Sequence, residues 1–448
     1  MGRAGSTLIL LIAALGLGGY LYFVESEKPL EDADAKRKVF AYEAEKITQI
    51  QITSSAGEST TLRKGANDTW TIVQPVEAPA DRNNVSDVVT NLANLEEERV
   101  VDENATDLKS YGLAAPRIDV TFQVDGDKEP KRVLFGEKTP AGSGIYAKLP
   151  AGNRVFLVPS SVEAAVDRST FDFRDKIALP FDETKVTSLE LASAAQTIRL
   201  EKSGEDWKLV KPVQAPADFV SVNGVIGQLQ SAQMTALKDR PEDLKDLKPY
   251  GLDKPAVVAT IGTGASSVTF ELGKEAEGGA VWARDPSKAA VFSINNGVAM
   301  ELQKKVDDFR RKEVFDFRPF NTTRFEITRG TATRAFERVK GTGENAVDTW
   351  RQVAPTAKSV DSSNFEGALL EFSNMRAESF VAAAGASTGH NNPAAVIVVK
   401  YDDGKKEERV VIGTAGSSVF ATRADQPGAL KLEAGKYEGA VKKLDAIQ

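Results

Sequence analysis

Trp70-Thr-Ile-Val-Gln-Pro-Val-Glu-Ala-Pro-Ala-Asp81 is the stretch that decides the fold, because the chain writes it again. Trp207-Lys-Leu-Val-Lys-Pro-Val-Gln-Ala-Pro-Ala-Asp218 repeats it with few changes. Trp350-Arg-Gln-Val-Ala-Pro-Thr-Ala-Lys-Ser-Val-Asp361 keeps its frame. The three tryptophans stand 137 and 143 residues apart. Solenoid repeats run to about 20–50 residues, so a period this long is that of a whole small domain. Three tandem copies are predicted.

The same offsets continue downstream. From Asp81, apolar residues fall at Val85, Val88, Val89 and Leu92; from Asp218 at Val222, Val225, Ile226 and Leu229; from Asp361 at Phe365, Ala368, Leu369 and Phe372. That spacing predicts an amphipathic helix with one buried face in every copy. Asp81, Asp218 and Asp361 then sit where a carboxylate accepts the free amides of a first helical turn. A general acid or cation ligand is the competing reading. It is disfavoured because the three acids belong to three copies and nothing pairs them. Trp70, Trp207 and Trp350 each open an alternating strand beside proline, which suits closure of a core better than stacking on a ligand.

Upstream, Ile47, Ile50 and Ile52, then Leu62, then Trp70, Ile72 and Val73 predict three short strands with turns at 55–57 and 65–68. Beyond the helix come one strand from Arg99, the turn Tyr111-Gly112-Leu113 with Pro116, and alternation through Ile118, Val120, Phe122 and Val124. Two more strands and a closing helix (161–166, 297–306, 436–444) complete the unit. Tyr250-Gly251-Leu252 with Pro255 repeats the turn, while the third copy has Thr388-Gly389-His390 with Pro393 and is divergent or a cap. Asp172-Phe-Arg174 and Asp308-Phe-Arg310 recur at the ends of copies one and two, as joints to the next domain.

Leu8 to Val24 carries no charge and spans about 26 Å as a helix, close to a bilayer core. Tyr20, Tyr22 and Phe23 gather at its far end, and no small-x-small exit follows, which favours an uncleaved anchor over a cleaved signal peptide. The fold class expected is therefore α+β: an N-terminal transmembrane helix, then three tandem repeats of an antiparallel-sheet domain with helices packed on one face. The segments are a cytoplasmic tail 1–5, anchor 6–24, charged linker 25–39, and repeats 40–178, 179–318 and 319–448. The short tail places the bulk of the chain outside, in the periplasm of a bacterial inner-membrane protein with a single span.

Composition excludes several functions. Net charge is −7 with acids and bases interspersed, so there is no basic stripe for nucleic acid. With no cysteine and one histidine, neither a Cys/His zinc site nor lipidation through an N-terminal cysteine is available. Phosphate-cradling and Gly-x-Ser-x-Gly motifs are absent. His390 lies in the polar stretch 385–393 and reads as a solvated loop residue. No catalytic residue, metal or cofactor is expected. Tyr111, Tyr250 and His390 mark a candidate partner or ligand surface.

The anchor, the Trp-x-Ile/Leu-Val-x-Pro and Ala-Pro-Ala-Asp elements, and Asp-Leu-Lys-x-Tyr-Gly-Leu-x-x-Pro together resemble a bacterial domain-of-unknown-function family. Its members are membrane-anchored and typically encoded beside ABC transporters of the gliding-motility-associated type. The resemblance covers copies one and two through 70–116 and 207–255, and implies a partner context without an activity. The expected function is a non-enzymatic periplasmic accessory or scaffold of an ABC-type transport or cell-envelope machine, contacting its permease or an associated envelope protein. The alternative is a binding module for an envelope polysaccharide or extended peptide, and a carboxylate-dependent hydrolase is a third reading.

Overall fold

The computed structural model describes residues 37–342 and 347–447. The anchor assigned to 6–24, the tail before it and most of the linker lie outside the described residues. No helix among the described residues is long and apolar enough to cross a membrane. The chain divides after Lys176 into two compact units. The first holds one antiparallel sheet of nine strands and the second holds two, each strand order repeating the last.

In the first copy the sheet runs, edge to edge, through Ala78–Pro79, Trp70–Gln74, Ser59–Lys64, Ile47–Thr53, Ile118–Val124, Lys131–Lys138, Gly144–Lys148, Val155–Pro159 and Arg99–Asp102. Two strands exceed the sequence reading. One is a fourth strand after the tyrosine turn. The other is the two-residue edge strand Ala78–Pro79, whose proline reads as a turn but is tolerated on a sheet edge. The helix Arg82–Ala93 follows, and its Val85, Val88 and Leu92 are buried with Ile50, Ile52, Val120 and Phe135 in one core. The helices Phe219–Gln230 and Ser362–Ser373 do the same in copies two and three. Asp81, Asp218 and Asp361 accept the amides of Asn84, Ser221 and Asn364 at 2.8, 2.7 and 2.8 Å. Each such cap contributes about 1 kcal/mol.

The outward faces of the sheets are polar and laced by ion pairs both across and along the strands. Asp119 meets Arg132, Arg199 meets Glu190 and Glu201, Glu271 meets Arg284, and Arg324 meets Glu326 and Glu337. The bonds Gln74–Pro75, Lys211–Pro212 and Ala354–Pro355 are cis in all three copies.

Three expectations need correction. Trp207 and Trp350 are buried at 4% and 1% exposure, but Trp70 is only half-buried. Trp350 is sealed by Phe365 at 4.7 Å and by the Arg338 guanidinium at 4.9 Å. Among the described residues no ring or cation lies against Trp70. The helix expected over 297–306 breaks into Asn296–Leu302 and Val306–Phe309. Finally, the charged linker ends early. Arg37–Lys38 is a strand paired with Glu96–Glu97, basic residues opposite acidic ones, and Val39 donates its amide to the Leu95 carbonyl.

That last pairing belongs to a pattern. In copy two Ile177 pairs with Gln233 and Ala178 donates to Ala232; in copy three Glu313 pairs with Arg376 and Val314 donates to Met375. The departing chain covers the other edge. Arg174 pairs with Ala80 and Arg310 with Ala217, while Asp81 and Asp218 donate their amides to Phe173 and Phe309. Every sheet is thus closed by the strap of chain that enters it, and the first two also by the strap that leaves.

The tyrosine turn is docked by a pair of glycines. Gly112 and Gly251 hold φ of 66° and 68°, the left-handed region that favours glycine. Opposite them, a side chain at Gly136 or Gly273 would collide with the carbonyl oxygen of Tyr111 or Tyr250. Gly273→Ala should therefore lower stability by about 1–3 kcal/mol. Gly227→Ala, in a helix where nothing lies within 4 Å of the added carbon, should raise it by up to about 1 kcal/mol. Paired thermal melts of the two variants check the opposite signs.

Candidate functional site

Two surfaces in the second unit combine open volume with side chains that the other copies lack. One of them lies beside the joint between the second and third sheets, which is built from the segment 309–317. Phe309 is fully buried and closes the core of its own copy, as Phe173 does in copy one. Each phenylalanine belongs to the core of the copy its strap leaves. Arg310 crosses instead. It is 5% exposed, lies 3.8 Å from the Phe380 ring centre, and donates through Nη2 to Gln426 Oε1 at 3.0 Å and to the Pro427 carbonyl at 2.8 Å. Gln426 in turn donates to the Arg311 carbonyl at 2.9 Å.

A charge cluster completes the joint. Arg423, 7% exposed at its side chain, reaches Asp316 at 3.0 Å and Asp425 at 2.9 Å, and Arg311 also pairs with Asp316. Glu408 accepts the amides of Asp316 and Phe317 at 2.9 and 3.0 Å. The two carboxyls shift in opposite directions. Burial works against the Asp316 carboxylate, yet hydrogen bonds and charge from Arg423 and Arg311 hold it below its ordinary value. Burial pushes the Glu408 carboxyl up, and its backbone bonds only partly offset this. All these groups saturate one another, so the cluster fixes an angle and presents no free acid or base.

Beside the joint lies a groove of about 820 Å³, lined by Trp207, Leu209, Phe219, Val220, Arg311, Glu313 and Asp425 among others. Phe219 and Val220 are 57% and 77% exposed although they open a helix. The matching residues are Arg82-Asn83 in copy one and Ser362-Ser363 in copy three. An apolar pair in water, where both sibling positions are polar, marks a contact surface. At the opposite end of the second sheet a cleft of about 1030 Å³ is lined by Trp282, Thr235, Ser293, Asn295, Asn296, Lys238, Glu275 and Glu277. Among the described residues no group of three or more His, Asp or Glu is placed to hold a metal ion.

The residues singled out in the sequence take different places. Tyr111 is half-buried, edge-on to Tyr146 at 5.0 Å; Tyr250 is 9% exposed, edge-on to Trp282 at 4.9 Å. They lie in different units. His390 is not solvated. It occupies the place of Leu113 and Leu252 in the turn, half-buried, with Nδ1 2.9 Å from Thr388 Oγ1 and Nε2 donating to the Val411 carbonyl at 3.2 Å. The imidazole is held there because Thr388-Gly389-His390 docks on Gly413 as the tyrosine turns dock on theirs. Sequence reasoning passed over Trp282, Phe219 and Val220. The signal was available as departures from the repeat: of four tryptophans, only Trp282 lies outside the repeated motif.

Residues 70–208 and 207–395 match the model of "Domain of unknown function (DUF4340)" in two copies. The chain belongs to this family. Both DUF4340 matches begin at a repeated tryptophan and run across a strap into the following copy. Curated proteins give no match. Among solved structures the chain is similar to the DNA polymerase sliding clamp from Pseudomonas aeruginosa, at 8% identity over 88% of this chain and 93% of that one, TM-score 0.17. It is also similar to the H. pylori beta clamp in complex with 5-chloroisatin, at 5% identity over 88% and 92%, TM-score 0.14. At those scores neither likeness carries an argument.

Asp316→Asn should cost about 1–3 kcal/mol at neutral pH, less than removal of one partner from a fully buried ion pair because Asp316 is only half-buried. Because the folded carboxyl titrates below its unfolded value, the wild-type advantage is present above the ordinary aspartate range and lost as pH falls through the folded pKa. Denaturation midpoints of the two proteins should therefore converge only in strong acid.

Proposed function

We propose that this DUF4340 protein is a non-enzymatic, membrane-anchored periplasmic accessory or scaffold protein of an ABC-type transport or cell-envelope machine. The observation that carries the reading is the exposed pair Phe219 and Val220 beside the joint that Arg310 and Arg423 lock. A rigid joint offers a partner a preformed groove, so binding is not taxed by ordering it. The groove's rim carries Lys208, Arg311, Glu313 and Asp425, charges of both signs around an apolar centre, which suits a protein segment with one or two apolar anchors. The uncharged run Leu8 to Val24 supports attachment to a membrane, and the permease or an associated envelope protein is the partner proposed. The saturated charge cluster speaks for structure over catalysis.

A photocrosslinking residue introduced at Gly224, on the same helix, should capture one permease or associated envelope protein in cells. Phe219→Ser with Val220→Ser, the residues of copy three, should reduce that capture at least about tenfold while stability changes by no more than about 0.5 kcal/mol. Undiminished capture by the double variant, or recovery of glycan fragments alone, would overturn the reading.

A further inference from the structure

The three copies act as controls for one another, and one position separates them. In the seventh strand of each sheet an aromatic residue stands between two buried ones: half-buried Tyr146 between Ile145 and Ala147, half-buried Trp282 between Val281 and Ala283, and Phe420, itself buried, between Val419 and Ala421. Its cross-strand neighbour is Leu157 in copy one, Ser293 in copy two and Lys431 in copy three. Copy two therefore combines the largest aromatic with the smallest partner. In copies one and three a leucine or a lysine stem occupies the space beside the ring. In copy two that space is the 1030 Å³ cleft.

The structure assigns this cleft a ligand: we propose that it binds a neutral oligosaccharide. Trp282 is half-buried and buttressed from behind by Tyr250, at 4.9 Å and 68° between ring planes, so the indole is held in a fixed attitude. A rigid aromatic surface is what the apolar face of a pyranose ring packs against. The other lining groups are those that bind hydroxyls. Thr235 and Ser293 share one hydrogen bond at 2.8 Å, which uses one of their two hydroxyl protons and leaves the other. Asn295 accepts from the Gly297 amide through Oδ1, which leaves its NH2 group, and the Asn296 amide is exposed. The turn Glu277–Gly279 forms one wall, with nothing within 4 Å of an added carbon at Gly278 or Gly279, so ring substituents have room there.

Charge and shape argue against other occupants. The lining carries one base, Lys238, and two acids, Glu275 and Glu277, which disfavours an anionic ligand. Apart from Trp282 the apolar lining is Ala236, Ala276 and Ala280, too little for a lipid tail or a hydrophobic peptide anchor. The cleft lies at the opposite end of the sheet from Phe219 and Val220, so sugar binding neither requires nor excludes the protein partner proposed above.

The test is calorimetric and NMR titration of the full chain with chitotriose, maltotriose and cellotriose, and with a uronic-acid trisaccharide as the charged comparison. At least one neutral trisaccharide should bind with a dissociation constant of about 1 mM or lower. Trp282→Ala should weaken it roughly tenfold. Ser293→Leu, which installs the neighbour that copy one carries, should abolish it. Since Ser293 is buried, Asn296→Ala at the exposed wall provides a variant with an undisturbed core, and it should weaken binding several-fold with an unchanged melting temperature. No binding by any neutral probe at about 10 mM, tighter binding of the uronic-acid probe, or equal binding by wild type, Trp282→Ala and Asn296→Ala would each overturn the proposal.

Discussion

A nine-stranded antiparallel sheet leaves two rows of unpaired amides and carbonyls, and this molecule is organised by the need to cover them. Exposed edges invite pairing with other chains. Here the chain's own entry and exit perform the pairing: Val39, Ala178 and Val314 donate at one edge, while Arg174 and Arg310 pair at the other. The third copy differs from the other two at its closing helix and at its edge strand. Its final helix, Ala434–Asp445, is longer than its counterparts, and Arg334 holds the carbonyls of Leu444 and Ile447 at 2.8 and 3.1 Å. Lys358 stands exposed on the edge strand where copies one and two have buried Ala78 and Ala215. An exposed charge on an edge strand discourages further pairing.

Much of this was legible in the residues. Val85, Val88 and Leu92 announce their helix by spacing alone, and Asp81 its cap by position, because both are local consequences of 3.6-residue periodicity and free amides. The paired glycines of the tyrosine turn were visible as Gly112 and Gly136. Their contact was not, since it joins elements whose approach depends on the whole sheet. The straps were hidden for a related reason. Residues 37–38 and 310–314 are charged, and charge in sequence signals a solvated linker, yet backbone pairing takes any side chain that can turn outward.

The candidate surfaces were the least legible part. Phe219 and Val220 fall in the register of a helix start, where apolar residues attract no notice beside the stripe that begins at Val222. Trp282 reads as one more strand residue until its neighbour across the sheet is known to be Ser293. His390 misled in the opposite sense, its polar surroundings in sequence masking a position that its siblings fill with leucine. In each case the informative quantity was a difference between copies at one structural position, and that comparison needs the register that only the sheet supplies.

The strap between the second and third sheets is also a mechanical element. Residues 310–314 are bonded to Pro216 and Ala217 on one side and to Met375 and Ala377 on the other, through a handful of backbone hydrogen bonds and a few side chains, Arg310, Gln426 and Arg423 among them. Each sheet behind it is held by a full ladder. A tension applied along the chain reaches this short seam before it reaches either ladder, so the joint is set to yield first while both sheets stay folded. Stiff in recognition, the seam is a fuse under load.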